Sequence, residues 1–179
     1  MTPKSKQRKP RASSARQPFE VFQQAISEHR FISEYSANVQ RTTALFNEKR
    51  FTSKIAALKS FLTQNVVEHF HFEEESVFPQ LQTEAQTAAT RQVVAELLDE
   101  HKPLLAAARR LHRRLDQAGT GADAHAWTRL EQAIHKFLKT LQEHALKEDN
   151  IFLAEKYAHR SIPAAPPAIT SLDATVHLH

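Results

Sequence analysis

The chain has 179 residues, a formal net charge of +4, eleven histidines, two glycines and no cysteine. Without a thiol there is no disulfide, thiolate metal site, iron–sulfur cluster or cysteine nucleophile, so any metal must be held by nitrogen and oxygen. The apolar runs are only a few residues long, too short for a membrane span or a secretory h-region, which points to a soluble, cytoplasmic protein without membrane contact.

Lys4, Lys6, Arg8, Lys9, Arg11 and Arg16 crowd the first seventeen residues, which contain no acid. Removing these six charges turns +4 into −2, so the folded part has no electrostatic reason to bind nucleic acid. Residues 1–17 carry Pro3, Pro10, several serines and almost nothing apolar, and read as a disordered basic tail. Its first role is solvation, and a protein partner, if there is one, would be met here. At the other end residues 160–179 form an irregular Pro/Ala-rich tail, with Pro163 stopping the helix before it.

Between the tails, residues 18–159 predict one all-α domain of four long helices. The first, over 18–48, repeats Phe22, Ile26, His29, Ile32, Val39 and Phe46 on one face; the second, over 53–82, repeats Ile55, Leu58, Leu62, Val66, His69, Glu73 and Val77. The third, over 88–118, aligns Val94, Leu97, His101, Leu104, Ala108, Leu111 and Leu115; the fourth, over 123–159, aligns Leu130, Ile134, Phe137, Leu141, His144, Glu148 and Phe152. These are the spacings of core-facing helices. Gly119 could end the third helix and Asp123 could cap the fourth. Short connections force antiparallel neighbours, and the assembly expected is an up-down-up-down four-helix bundle.

One histidine stands inside each apolar stripe: His29, His69, His101 and His144. His69 and His144 each have a glutamate four residues on, Glu73 and Glu148, which a helix places one turn above on the same face. The pattern repeats internally, since 40 residues separate His29 from His69 and 43 separate His101 from His144. Two helix pairs related by an approximate two-fold would bring both halves to one centre. Burying four imidazoles and two carboxylates together without a cation would cost several kcal/mol in desolvation and unpaired acceptors. A metal removes that cost, and four neutral nitrogens with two shareable carboxylates suit two iron ions.

Other positions serve as controls. His71 and Glu75 repeat the spacing of His69 and Glu73 on the opposite side of the helix, and His135 is likewise turned away from the stripe of His144. His112 shares the inward face of His101 but lies about three turns away, which suits a polar core position or a supporting role. His125, His159, His177 and His179 have no partner pattern. Phe61, Phe70, Phe72, Phe78, Phe137, Phe152 and Trp127 read as packing. Pro103 falls within the third helix and should kink it.

The segments His69-Phe-His-Phe-Glu73-Glu-Glu-Ser-Val-Phe-Pro79 and His144-Ala-Leu-Lys-Glu148-Asp-Asn-Ile-Phe, with Glu-His29-Arg and Glu-His101-Lys, resemble the hemerythrin-like HHE cation-binding domains over about residues 20 to 158. The resemblance implies a non-haem di-iron bundle in which His29 and His69 hold one iron, His101 and His144 the other, and Glu73 and Glu148 bridge. Asp149 competes with Glu148, because the oxygen carriers of the family place an aspartate five residues after this histidine. Those carriers also have a fifth histidine where this chain has Leu105, so one coordination position is expected to be open. The ligand expected there is a small diatomic or peroxide: O2, NO or H2O2. The alternative is an iron-binding sensor or an iron-donating module that acts through a protein partner, including in nitrosative or oxidative stress.

Overall fold

A computed structural model of the chain describes residues 18–43, 48–84, 87–118 and 124–158. The expectations for both tails and for Phe46, Gly119, Asp123, His159, His177 and His179 lie outside these residues. The described residues form four long helices and no strand: α1 (Pro18–Thr43), α2 (48–84), α3 (Ala88–Ala118) and α4 (Ala124–Ala158). The third matches the range expected from periodicity, whereas the second begins five residues before it. No described helix is long and apolar enough to cross a membrane.

Each helix packs against two others, α1 and α3 both lying against α2 and α4, as in a four-helix bundle. The two apolar clusters of the interior show the antiparallel order. One joins the start of α1 (Val21, Phe22) to the end of α2 (Phe78, Leu81), the start of α3 (Val94, Leu97) and the end of α4 (Phe152). The other joins the opposite ends, through Ile32, Leu62, Leu111 and Ile134. Every apolar position named above for α3 and α4 is buried. The histidine level falls between the two clusters, so apolar walls close the site above and below.

Two local features set the phase of the helices. At the start of α3 the Thr90 N–H donates to Thr87 Oγ1 at 3.1 Å, a side-chain cap that satisfies one of the free donors of the first turn. In α2 the helix widens twice into π turns, at Phe61–Val66 and Glu73–Val77. The second has a local cause: Pro79 lacks the N–H that the Glu75 carbonyl would accept and its ring crowds that carbonyl. The ladder instead steps to i+5, with the Phe78 N–H donating to the Glu73 carbonyl. Two rows of buried residues in α2 run at steps of four, Leu58, Leu62, Val66, Phe70 and His69, Glu73, Val77, Leu81. Such steps drift about 40° apiece on a regular α-helix, and the wider turns return part of that drift.

Pro103 does not interrupt α3, which continues through it to Ala118. Pro103 lies on the exposed side of the helix, where the carbonyl it leaves without a donor is not enclosed in the core.

Candidate metal centre

Each of the four helices contributes one buried histidine at the level between the apolar clusters, and α2 and α4 each add a glutamate. The structure brings all six sequence-predicted residues together. Glu73 and Glu148 are fully buried, and both stand within reach of histidines from opposite pairs of helices. His29 Nε2 lies 3.0 Å from Glu73 Oε1 and 3.3 Å from Glu148 Oε2. His69 Nε2 lies 3.4 Å from Glu73 Oε1, and His144 Nε2 3.0 Å from Glu148 Oε1. His101 Nε2 is 3.6 Å from Glu73 Oε2 and 3.4 Å from Glu148 Oε1. Two overlapping sets result, His29, His69, Glu73, Glu148 and Glu73, His101, His144, Glu148, in each of which one donor atom per residue falls within 4.8 Å of the others. The carboxylates belong to both sets.

A second layer of carboxylates holds the far nitrogens of the rings. The His29 Nδ1–H donates to Asp149 at 2.7 Å and the His69 Nδ1–H to Glu28 at 2.9 Å. The His101 Nδ1–H donates to Glu74 and the His144 Nδ1–H to Glu100, both at 3.0 Å. An ionised carboxylate only accepts, so these bonds place a proton on Nδ1 and leave Nε2 as the nitrogen that faces the centre. The ring of contacts runs from α1 to α4, α4 to α3, α3 to α2 and α2 back to α1, and it obeys the two-fold of the sequence repeat. Of the four, only Asp149 was singled out by sequence reasoning. The missed signal was adjacency: Glu28 precedes His29, Glu100 precedes His101 and Glu74 follows Glu73.

Aromatic rings complete the walls. Phe70 stacks on His101 at 4.2 Å between centroids and meets His144 edge-on at 5.6 Å, while Phe152 stacks on His29 at 5.8 Å. Phe78 lies 5.3 Å from His101. From carboxylate to this aromatic the spacing is four residues in α4 (Glu148 to Phe152) but five in α2 (Glu73 to Phe78). The π turn at Glu73–Val77 absorbs the extra residue and leaves both rings facing their histidines.

The electrostatics call for positive charge. Burial works against ionisation of His29, yet the carboxylates of Asp149, Glu148 and Glu73 around the ring outweigh it and push its pKa up to about 11. Burial likewise opposes the charge on His144, whose pKa is nevertheless raised by Glu148 and Glu100. Glu148 is buried too, but the imidazoles of His101, His144 and His29 hold its carboxyl well below the usual range. Glu73 Oε2, Glu148 Oε2 and His144 Nε2 are nevertheless buried without a hydrogen bond. Two carboxylate oxygens and an imidazole nitrogen left so at one buried centre fit a cation and fit nothing apolar.

The control positions fall elsewhere. His71 and Glu75 are exposed, each two residues beyond a member of the cluster and so turned to the opposite side of the helix. His112 is half-buried and pairs with Asp116 at 3.2 Å, so it sits at the bundle surface and not in a polar core position. His135 is half-buried as well, rather than fully turned to solvent. Leu105 is half-buried and packs against the apolar cluster that contains Leu104 and Phe70.

No curated protein and no solved structure matches the chain. A family model does, that of the hemerythrin HHE cation-binding domain, over residues 18–155. That stretch takes in α1, α2, α3 and all but the last three residues of α4, with the six converging side chains and their four outer carboxylates, and the chain belongs to the hemerythrin HHE cation-binding domain family.

Proposed function

We propose that this centre holds two iron ions and that the protein binds or reacts with a small diatomic or peroxide, O2, NO or H2O2. The carrying observation is the sharing of Glu73 and Glu148 between two sets of donors, each with two imidazoles. Donors about 2.1 Å from one cation lie about 3 Å apart when they meet at a right angle, close to the shortest spacings between imidazole and carboxylate here. Nitrogen and carboxylate donors suit iron, and no thiolate is available to favour a softer metal. When bound, two iron ions would supply two electrons to a single small ligand.

The chain's own residues do the rest. Asp149, Glu28, Glu74 and Glu100 orient the imidazoles and keep their protons on the outer nitrogen. Phe70, Phe78 and Phe152 exclude water from three sides. A cavity of about 580 Å³ between α1 and α2 reaches His69 and Glu28 and offers a small molecule its approach. With two imidazoles and two carboxylates around each metal position and a leucine at 105, the protein leaves coordination capacity for a ligand.

Anaerobic titration of the iron-loaded protein with NO, and separately with O2 and peroxide, tests this reading. A saturable optical change with at least one of them, lost in His101→Ala, is expected. Failure of all three to perturb the spectrum of a fully loaded protein would overturn it, and turnover would separate an enzyme from a carrier or sensor.

A further inference from the structure

On the side of the bundle away from the α1–α2 approach, α3 and α4 enclose a groove of about 570 Å³, within the range of small-molecule sites. Its floor is apolar, with Leu104, Leu111 and Phe137 buried beneath it and Ala107 and Ala133 half-buried along it. Its rim is cationic: Arg110 and Arg114 stand on α3, Lys136 and Lys147 on α4, all exposed. Glu100 is the one acid in the lining. It is already engaged, accepting from Lys147 Nζ at 2.6 Å and from the His144 ring. Among the described residues no carboxylate pairs with Arg110, Arg114 or Lys136.

Charge and apolar surface are separated along this groove. Glu100 and Lys147 face each other at one end, and the antiparallel run of α3 and α4 then sets Lys136 opposite the turn of α3 that carries Arg110 and Arg114. The span from residue 100 to residue 114 is about 21 Å at 1.5 Å per residue. Pro103, Leu104 and Ala107 occupy the stretch between the two ends. Arg110 and Arg114, a helical turn apart, repel each other, and Lys136 adds a third positive charge with no acid to offset it. Guanidinium forks of this kind match a carboxylate or a phosphate in bidentate fashion.

We propose that the α3–α4 groove binds a single-chain amphiphilic anion, with a carboxylate or phosphate head on Arg110, Arg114 and Lys136 and an acyl chain over Leu104, Leu111 and Phe137. Charge complementarity selects the head, and the apolar stretch of Leu111, Ala107, Leu104 and Pro103, with Thr140 the one uncharged polar residue beside it, selects a chain over a compact anion such as free phosphate. The groove touches the metal centre only through Glu100, which holds the His144 ring at the end far from Arg110 and Arg114, and the anion needs no iron to bind.

Calorimetric titration of the full chain with dodecanoate, dodecyl phosphate and dodecanol, below their aggregation limits, tests the proposal. Saturable one-to-one binding of one or both anions, with dodecanol at least tenfold weaker, is expected, and the tighter of the two anions identifies the source of the head group. Arg110→Glu/Arg114→Glu, at exposed positions, should weaken anion binding at least tenfold, and Ala107→Trp, which fills the groove, should abolish it while the Arg pair remains. Equal affinity for dodecanol, affinity unchanged in the double arginine variant, or no binding of either anion at millimolar concentration would each overturn it. Circular dichroism of each variant verifies the helical fold, and should Ala107→Trp fail to fold, Lys136→Glu carries the same test from the rim.

Discussion

Asp149 holds His29 from outside, its Oδ1 2.7 Å from Nδ1, while the preceding residue Glu148 faces the same ring from inside, its Oε2 3.3 Å from Nε2. Successive residues on a helix point about 100° apart, which is what lets one reach inward and the next reach across to α1. Glu73 and Glu74 treat His101 in the same way, at 3.6 Å from Nε2 and 3.0 Å from Nδ1. The two carboxylates competing for one role in the sequence thus occupy two different places.

Asp149→Asn and Glu148→Gln should therefore behave differently. Losing an outer carboxylate leaves the donors around the metal intact but frees a ring, and such changes weaken metal affinity about 10–100-fold. Glu148→Gln removes a carboxylate from both donor sets and should lower the bound metal outright. Metal affinities from chelator competition check this; equal losses from both substitutions would contradict the division of roles.

His69→Ala or Glu73→Ala should strip most of the bound metal, whereas His71→Ala and Glu75→Ala should leave it. The two pairs share the same spacing and differ only in helical phase, the first buried and the second exposed. Metal content per chain after identical loading decides the matter, and comparable loss from both pairs would show the phase of α2 to be wrong.

The amino-acid pattern made the bundle legible because a stripe of Leu, Val, Phe and Ile at helical spacing has few other ways to be buried. It made the six converging residues legible because His and Glu interrupt that stripe at equal levels. The outer carboxylates were not: Glu28, Glu74 and Glu100 are partly exposed, and an exposed glutamate on a helix surface looks like any solvated one. The π turns were hidden for a different reason. The drift they correct accumulates over several turns of α2, and only the second leaves a mark in the sequence, Pro79 together with the five-residue spacing from Glu73 to Phe78 against the four from Glu148 to Phe152. His112 shows the limit of phase arguments, since its position relative to His101 suggested the interior and its ion pair with Asp116 keeps it at the surface.

Acidity separates the metal-free from the loaded protein. His29 has a folded pKa of about 11 against an ordinary value of 6.5, so its stabilising charge is fully present below about pH 6.5 and is lost as pH rises toward 11. Glu148 is depressed, so its contribution is present above its ordinary 4.5 and is lost as pH falls through its lower folded value. The metal-free protein should have its highest Tm between these limits and a falling Tm from pH 7 to pH 10. Metal loading at pH 7 should release protons, His29 supplying the first. Thermal melts across that range and a weakly buffered metal titration check both. A Tm that rises with pH in the metal-free protein would contradict the charge assignment.

Leu105→His should make bound metal harder to extract and slow its reaction with NO, because an imidazole one turn beyond His101 can take a coordination position that leucine leaves open. Leu105 also packs against the apolar cluster, so an imidazole that failed to reach the metal would be an unpaired polar group costing about 1–3 kcal/mol. Chelator extraction and NO reaction rates, with a melt to monitor stability, distinguish these outcomes. Unchanged rates in a protein of unchanged stability would show that residue 105 has no bearing on the centre.

The most direct measurement is the metal content of full-length protein purified from its own host, determined by elemental analysis against quantitative amino-acid analysis. Two sets of donors sharing Glu73 and Glu148 predict close to two irons per chain, both lost together in Glu73→Ala. One metal per chain, or zinc in place of iron, would contradict the di-iron centre.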